Sequence, residues 1–305
     1  PILHIATFKA RDIDRVVDDI NARGYGLTFG LHTRIDDRVQ QIVERLEVGN
    51  AYVNRNQIGA IVGSQPFGGE GLSGTGPKAG GPQYVARFRR CTKLSSLSAP
   101  VGEFVATDRI QQELTALDAR HWAARPDRVA VLRKCLQSVA TGIIKKALSA
   151  TAAFDTTPLS LPGPTGESNR LSLHPKGTVL CLGPTAELAI AQAVQALAAG
   201  CPVVIIAPAV STLAQPLQEA GLPLAVMDGI IDTDALKSLE GIASVAAAGS
   251  AEWTRPLRQA LASRKGPIVP LETQDIAPSR YVIERHLCID TTAAGGNASL
   301  LASTE

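Results

Sequence analysis

A stretch of 29 residues, 54–82, contains nine glycines but does not have the composition of a flexible linker. Linkers consist mainly of Gly and Ser, whereas isoleucine, valine, phenylalanine and leucine lie between these glycines. Glycine permits backbone conformations closed to other residues and lets the chain approach a ligand closely. We therefore predict an ordered loop that contacts a small molecule and is anchored to a core by its apolar side chains.

Two features of this glycine-rich loop suggest what it binds. Gly59 and Ala60 are adjacent small residues that would offer their backbone N–H groups to an anion. Phe67 would form an apolar wall beside a carbon chain. A small molecule that carries a carboxylate suits such a pocket. The alternative is a tight crossover that binds no ligand.

The first 90 residues alternate between strand and helix patterns. Alternating apolar residues predict strands over 2–8 and 27–32, and a short strand over 51–54. Apolar residues at helical spacing predict helices over 12–22 and 36–46. This order favours a parallel sheet covered by helices.

A second α/β pattern occupies the later part of the chain. Residues 107–150, including 129–146, have a helical pattern, and 156–170 are rich in Pro, Gly, Thr and Ser and predict a loop. Beyond them, strand-like runs cover 177–183, 202–207, 222–226, 242–248, 268–269 and 281–290. Helix candidates between these runs cover 186–199, 211–220, 233–239 and 252–263. The two α/β blocks are not repeats of one another.

Two other kinds of site, a dinucleotide-binding turn and a metal site, are poorly supported by the spacing of their residues. The strand–helix junction at Gly183 resembles a dinucleotide-binding turn, but GxGxxG is absent and Ala207 lies where an acidic residue is expected. A structural role for this junction is favoured over a working nucleotide site. No histidine has a partner at metal-ligand spacing; His286 and Cys288 would share one face of a strand, but two ligands do not make a metal site.

The cysteines and the charge balance exclude several classes of protein. The five cysteines are scattered and never spaced as CxxC: Cys91, Cys135, Cys181, Cys201 and Cys288. This favours reduced thiols in a cytoplasmic protein over a disulfide framework or zinc site. The formal charge is +2 and no long basic run occurs, so nucleic-acid binding is not expected. The basic, serine-rich stretch 87–96 is interpreted as a solvated domain boundary, and no apolar run reaches the ~20 residues of a membrane span.

Several motifs resemble a known family. Residues 50–54 (NAYVN) and 66–69 (PFGG) resemble the C-terminal part of the catalytic domain of the aldehyde dehydrogenase superfamily. The longer segment 52–82 resembles the bacterial proline utilization A family specifically. Its members are bifunctional proline dehydrogenases and L-glutamate γ-semialdehyde (1-pyrroline-5-carboxylate) dehydrogenases. Residues 284–300 resemble the tail of the long forms of that family.

The resemblance implies an α/β fold with four segments. Residues 1–90 would be the C-terminal part of an aldehyde dehydrogenase catalytic domain, and 91–170 a linker and helical region. Residues 171–279 would form a Rossmann-like, aldehyde-dehydrogenase-like domain without catalysis, and 280–305 a strand or flap and a C-terminal tail. Ala207 stands where the family has a ribose-binding lysine, which makes the second domain a degenerate relative.

The resemblance also implies roles for residues of the loop. Gly59 and Ala60 match the loop that holds the substrate α-carboxylate through backbone amides, and Phe67 matches an aromatic wall of the aldehyde pocket. No catalytic residue is expected in this chain, because the nucleophilic cysteine, the general-base glutamate and the main NAD contacts of the family would lie before Pro1. FAD would belong to an absent proline dehydrogenase half.

The partners implied by the resemblance are glutamate semialdehyde and upstream domains of the same polypeptide. A homo-oligomer and, for the full enzyme, at most peripheral membrane association are compatible with it. We expect this chain to be a fragment that oxidises no aldehyde alone. Two alternatives stay open: a monofunctional semialdehyde dehydrogenase end fused to an unrelated α/β domain, and a non-enzymatic assembly module over 101–305.

Overall fold

The structure is a computed structural model that describes residues 2–88 and 97–292. Its contacts divide the chain into two compact units. The first unit comprises Pro1–Phe88, Thr157–Ser172 and Glu284–Glu305, and the second comprises Arg89–Thr156 and Leu173–Ile283. The segment boundaries inferred from the sequence at 90, 170 and 279 stay predictions. Cys91, most of the basic stretch and the end of the tail lie outside the described residues.

Twelve strands and nine α-helices are found in the described part of the chain. The strands are β1 (Tyr25–Gly26), β2 (Thr28–Leu31), β3 (Asn50–Val53), β4 (Glu70–Gly71), β5 (Leu159–Leu161), β6 (Glu167–Pro175), β7 (Val179–Cys181), β8 (Val203–Ala207), β9 (Leu224–Asp228), β10 (Ser244–Ala246), β11 (Leu271–Glu272) and β12 (Val282–Asp290). The α-helices are α1 (Ile13–Asn21), α2 (Asp36–Arg45), α3 (Thr107–Ala116), α4 (Arg120–Ala123), α5 (Arg128–Cys135), α6 (Gly142–Ala153), α7 (Ala186–Ala198), α8 (Ser211–Glu219) and α9 (Ala251–Ala262).

The first unit contains a five-stranded sheet in the order β2-β3-β12-β6-β5. Strand β3 lies between β2 and β12, runs parallel to both, and is buried along its whole length. The apolar faces of α1 and α2 pack beside it, with Val17, Ile42 and Leu46 in one core cluster. The parallel sheet with two covering helices predicted for the first 90 residues is confirmed in this part.

The second unit contains a parallel sheet in the order β11-β10-β7-β8-β9. The chain winds from β7 outward to β9 on one side and then returns to β10 on the other, as in half of a Rossmann fold. Strands β7, β8 and β10 are wholly buried, and ten residues of α7 are buried. Strands that are buried on both faces read as continuous apolar runs, which is why the sequence identified them. The predicted α/β fold class is confirmed.

Two local predictions for the first unit are wrong. Residues 2–8 form no strand, because the described residues provide no pairing partner, and Ile2, Leu3 and Ile5 are about 85% exposed. Residues 156–170 are not only a loop. They contain β5 and the start of β6, which pair antiparallel. The Pro and Gly residues that indicated a loop belong to the turn of this hairpin.

Three local predictions for the second unit also need correction. The helical stretch 129–146 is interrupted between α5 and α6. Residues 233–239 contain a 3-10 helix, Thr233–Lys237, instead of an α-helix. The last strand of this sheet is β11, two residues beyond the apolar pair 268–269. Ile268 is 71% exposed. The apolar residue at this position therefore did not indicate a buried strand.

No helix within residues 2–88 and 97–292 combines the length and apolar character needed to cross a bilayer.

Candidate functional site

The glycine-rich loop leaves the sheet of the first unit at the end of β3. Asn54 follows β3 with a φ of 58°, in the left-handed region that asparagine tolerates better than most residues. Its side-chain Oδ1 accepts a hydrogen bond from the Thr33 N–H at 2.9 Å, and its own N–H donates to Leu31 O at 2.8 Å. The direction in which the loop starts is therefore fixed by hydrogen bonds to β2 and the residues after it.

Gly59 and Ala60 lie in an irregular part of the loop, which we refer to as the Gly59–Ala60 turn, and neither backbone N–H has an acceptor among the described residues. Gly59 has a φ of 135°, which strains any residue with a Cβ. Its carbonyl oxygen accepts a hydrogen bond at 3.0 Å from the hydroxyl of Tyr52, a residue buried in β3. The carbonyl is thus held by Tyr52, while the two adjacent N–H donors stay available to an anion.

Three polar side chains meet behind this turn. Arg55 Nη1 lies 2.5 Å from Glu167 Oε2, and Gln65 Nε2 donates to Glu167 Oε1 at 2.7 Å. Glu167 comes from β6, more than 100 residues further along the chain. Charged pairs of this length are strong hydrogen bonds as well as ion pairs. We refer to Arg55, Gln65 and Glu167 as the loop clamp.

Strand β12 places His286 and Cys288 on the same buried face, as the sequence predicted. Burial raises the pKa of the Cys288 thiol to about 11, although Arg55 Nη1 lies 3.1 Å from its sulfur. Burial lowers the pKa of His286 to about 4, and its Nε2 lies 3.2 Å from Asn169 Oδ1. The thiol and the imidazole are therefore both neutral near pH 7. In the described part of the chain no group of three or more His, Cys, Asp or Glu side chains is arranged to hold a metal.

The Phe67 end of the loop is held by a buried asparagine. Phe67 is half-buried, and its backbone exchanges two hydrogen bonds with Ala79, at 3.0 and 2.8 Å. Asn50 of β3 donates to Pro66 O at 2.8 Å and accepts from the Gly68 N–H at 3.1 Å. The residues on both sides of Phe67 are thereby attached to the sheet, which fixes where its ring can lie.

A buried lysine completes this end of the loop. The ammonium of Lys78 donates to Asn50 Oδ1 at 3.0 Å and to Gly68 O. Burial lowers the pKa of Lys78 to about 8, against the opposing effect of the Glu284 carboxylate. Glu284 in turn accepts a hydrogen bond from the Lys78 N–H at 2.9 Å, and burial raises its pKa. This buried lysine therefore connects the loop at Gly68 to β3 at Asn50 through hydrogen bonds.

Sequence reasoning placed Gly59, Ala60 and Phe67 on this loop but missed the residues that hold it. Asn50 and Lys78 fall inside the motifs that carried the family resemblance, yet their burial could not be seen in the pattern. Arg55 and Gln65 are polar residues in a loop, where exposure is the ordinary expectation. Glu167 lies in the segment 156–170, which the sequence predicted to be a loop. The structure brings these residues together, and the roles assigned to Gly59, Ala60 and Phe67 stay predictions.

At the strand–helix junction of Gly183, a protein side chain bonds the backbone groups that would face a dinucleotide phosphate. Gly183 has a φ of 80° and lies after β7, at the switch point of the sheet. Its N–H donates to Gln192 Oε1 at 3.1 Å, and its carbonyl accepts from Gln192 Nε2 at 3.2 Å. The amide that would face a phosphate is therefore already bonded to a buried glutamine.

The carboxyl ends of other strands in this sheet are bonded to the segment 97–105. Leu97 O accepts from the Ser250 N–H beyond β10 at 2.8 Å. Glu103 O accepts from the Ile230 N–H beyond β9, also at 2.8 Å, and Val105 N donates back to Ile230 O at 2.9 Å. Ligands of open α/β sheets bind outside these strand ends. The described residues of the second unit thus do not fit a dinucleotide at that position.

The thiols of the second unit do not have the character of nucleophiles. Burial raises the pKa values of Cys135, Cys181 and Cys201. Cys181 and Cys201 are fully buried in the apolar core, where a free cysteine packs as a small hydrophobic residue. The reactive form of cysteine is the thiolate, which these environments disfavour.

Comparison with known proteins identifies relatives of both the first residues and the whole chain. Residues 1–94 match the model of the aldehyde dehydrogenase family. The bifunctional protein PutA of Escherichia coli is 39% identical over 318 residues, which cover 99% of this chain and 22% of that protein. The 1-pyrroline-5-carboxylate dehydrogenase of Bacillus subtilis is 48% identical over 81 residues, 27% of this chain and 16% of that protein.

A solved structure gives a weaker likeness. Proline utilization A (PutA) from Corynebacterium freiburgense matches with a TM-score of 0.49 and 22% sequence identity, over 92% of this chain and 24% of that one. The chain spans about a fifth of the length of the curated PutA relatives that it matches, since it covers 22% of the Escherichia coli protein.

Proposed function

Because residues 1–94 belong to the aldehyde dehydrogenase family and nearly the whole chain is similar to bifunctional PutA proteins, we propose that it works in proline catabolism. It contributes to the NAD-dependent oxidation of L-glutamate γ-semialdehyde, which forms from 1-pyrroline-5-carboxylate, to glutamate. The name of the Bacillus subtilis relative, which matches 27% of the chain, supports this substrate. The second unit serves as a non-catalytic domain that caps the catalytic modules.

The observation that carries the proposal is the pair of available N–H groups at Gly59 and Ala60. Tyr52 holds the turn through the Gly59 carbonyl, and both N–H donors are available to a carboxylate. Donors that are fixed before the ligand arrives bind it more tightly, because no ordering cost is paid on binding. These amides bind the α-carboxylate of the substrate, and Phe67 packs against its carbon chain. The aldehyde is thereby oriented toward the reacting groups.

The reacting groups themselves are supplied from outside this chain. In the aldehyde dehydrogenase family a cysteine attacks the aldehyde, and NAD+ accepts the hydride. Burial raises the pKa values of all four described cysteines, and the second unit does not fit a dinucleotide. We therefore assign to this chain the binding and orientation of the substrate and no covalent step. FAD belongs to the proline dehydrogenase half of the bifunctional enzyme.

A chimera tests the proposal. The aligned segment of the Escherichia coli PutA protein is replaced by this chain, and NAD+ reduction is measured with glutamate semialdehyde as substrate. We expect the chimera to retain the activity and the isolated 305-residue chain to have none. An inactive but folded chimera would contradict the proposed function. Aldehyde-dependent NAD+ reduction by the isolated chain would contradict the assignment of catalysis to other segments.

A further inference from the structure

We propose that Glu167 is a positioning residue for the substrate loop: its single carboxylate holds Arg55 and Gln65, and these hold the Gly59–Ala60 turn in the shape that binds the α-carboxylate. The inference rests on the proposed function of that turn. It assigns a role in substrate discrimination to a residue of the β5–β6 hairpin, far in sequence from the loop.

Both oxygens of the Glu167 carboxylate accept hydrogen bonds from protein groups. Oε2 faces Arg55 Nη1 at 2.5 Å, and Oε1 accepts from Gln65 Nε2 at 2.7 Å and from Asn169 Nδ2 at 2.8 Å. The side chain of Glu167 is 15% exposed and that of Arg55 is 18% exposed, so water contributes little to either group. A carboxylate placed in this way fixes its partners in angle as well as in distance.

The two side chains held by Glu167 lie against the turn itself. A Cβ built on Gly59 would be 3.5 Å from Arg55 Nη2 and 3.5 Å from Gln65 Oε1. These distances start from a Cβ that glycine lacks, so the guanidinium and the side-chain amide border Gly59 on the side where a side chain would project. A movement of either group would open that side of the turn. Tyr52 adds the third point of attachment through the Gly59 carbonyl.

Other described partners of Arg55 are weaker than Glu167. The Cys288 sulfur lies 3.1 Å from Nη1, but its pKa of about 11 leaves it a neutral thiol, which is a poor acceptor. The ring of Tyr52 lies 5.5 Å from the guanidinium carbon, at the distance of a cation–π contact. Removal of the Glu167 carboxylate would leave a largely buried guanidinium without a strong acceptor, which is unfavourable enough to drive rearrangement.

The position of Glu167 depends on the hairpin and on β12. Strand β6 lies next to β12 in the sheet, and β12 pairs in parallel with β3, from which the loop departs. Asn169 of β6 contacts both the Glu167 carboxylate and His286 of β12. The geometry of the loop is thus set through the sheet by a segment that follows it by about a hundred residues.

Hydrogen exchange of the intact 305-residue chain tests the structural half of the inference. Ile61, Gly63 and Gln65 have amides that donate backbone hydrogen bonds inside the loop. We expect E167A to accelerate their exchange by about tenfold or more, and E167Q by less, because its amide oxygen can still accept from Gln65. The matched control is E272Q in the second unit, where a buried carboxylate lies near Lys176 and Arg280. Equal exchange of the loop amides in E167A, E272Q and the wild type would overturn the inference.

Kinetics of the chimera test the functional half. We expect E167A to raise KM for glutamate semialdehyde by about tenfold or more with a much smaller change in kcat, since ground-state and transition-state binding are weakened together. The kinetic constants for butanal, which lacks the α-carboxylate, should stay near those of the unsubstituted chimera, and E167Q should recover part of the loss.

The two possible failures are distinguishable. An unsubstituted chimera without semialdehyde activity contradicts the proposed function, and the exchange experiment still decides whether Glu167 orders the loop. An active chimera in which E167A lowers kcat/KM equally for both aldehydes, or for neither, overturns the positioning role.

Discussion

The two five-stranded sheets of this protein are stabilised by different interactions. In the second unit, parallel strands and α7 form a continuous apolar core, and even the buried cysteines pack as hydrophobic residues. In the first unit, a small apolar cluster lies beside a network of buried polar groups that includes Asn50, Gln65, Lys78 and His286. At the apolar sheet of the second unit, protein groups fill the position outside the strand ends where a ligand would bind. The polar network of the first unit instead surrounds a loop whose Gly59 and Ala60 N–H groups are available. The loop with available donors therefore lies among buried polar side chains of the first unit.

The comparison predicts that the largest loss of stability comes from the apolar core. Ile190 is fully buried in α7, so Ile190→Ala should destabilise the second unit by about 4 kcal/mol through lost burial and a cavity. Urea unfolding followed by tryptophan fluorescence measures this, since Trp122 and Trp253 both lie in that unit. Ile268→Ala is the matched control, because Ile268 is 71% exposed and its loss should change stability by less than about 0.5 kcal/mol. Equal effects of the two substitutions would contradict the account of this core.

A somewhat smaller loss is expected from the polar network. Asn50 is fully buried and bonded to Pro66, Gly68 and Lys78. Asn50→Ala should cost about 3 kcal/mol, because three buried partners lose their hydrogen bonds. Hydrogen exchange of β3 and of the loop measures it. Asn56→Ala, at an exposed position with one long hydrogen bond of 3.3 Å, should leave this exchange nearly unchanged. If Asn50→Ala behaves like Asn56→Ala, the network is not what holds the loop.

The smallest of the three effects is a dependence on pH. Burial lowers the pKa of His286 from its model-peptide value near 6.5 to about 4, so the unfolded chain binds a proton at pH values where the folded chain does not. Stability from this group is present above about pH 6.5 and is lost as the pH falls through 4. The loss amounts to about 2 kcal/mol between pH 7.5 and 5.

Two histidine replacements separate the contribution of His286 to the pH dependence from that of other titratable groups. His286→Gln should flatten the pH dependence of exchange in β12 between pH 7.5 and 5, while His32→Gln, at an exposed position, should not. An unchanged slope in His286→Gln would show that other groups of the first unit cause the acid sensitivity.

The sequence predicted the second unit well because its strands and helices depend on local apolar patterns. Strands β7 and β8 contain no polar residue and could be read directly. The alanine-rich α7 could also be read, although Glu187, Gln192 and Gln195 interrupt its apolar residues. In the first unit the same reasoning found α1, α2 and β3. It failed for β5 and β6, because their strand structure depends on pairing with each other and with β12.

In the candidate site, too, one part could be predicted from the sequence and another could not. The glycine-rich loop was visible because glycine and apolar residues alternate in it, and Gly59 does have the φ that only glycine adopts easily. The clamp was not visible, because Arg55 and Gln65 meet Glu167 across 102 to 112 positions. No local pattern encodes which distant carboxylate a loop arginine will contact.

The most direct test of the account is a crystal structure of the chimera with L-glutamate, the proposed product, bound at saturation. The account predicts that the α-carboxylate oxygens lie about 3 Å from the backbone nitrogens of Gly59 and Ala60. Phe67 should lie against the carbon chain. Glutamate bound in the aldehyde pocket with its α-carboxylate elsewhere, and with both amides unoccupied, would contradict the assignment of this loop.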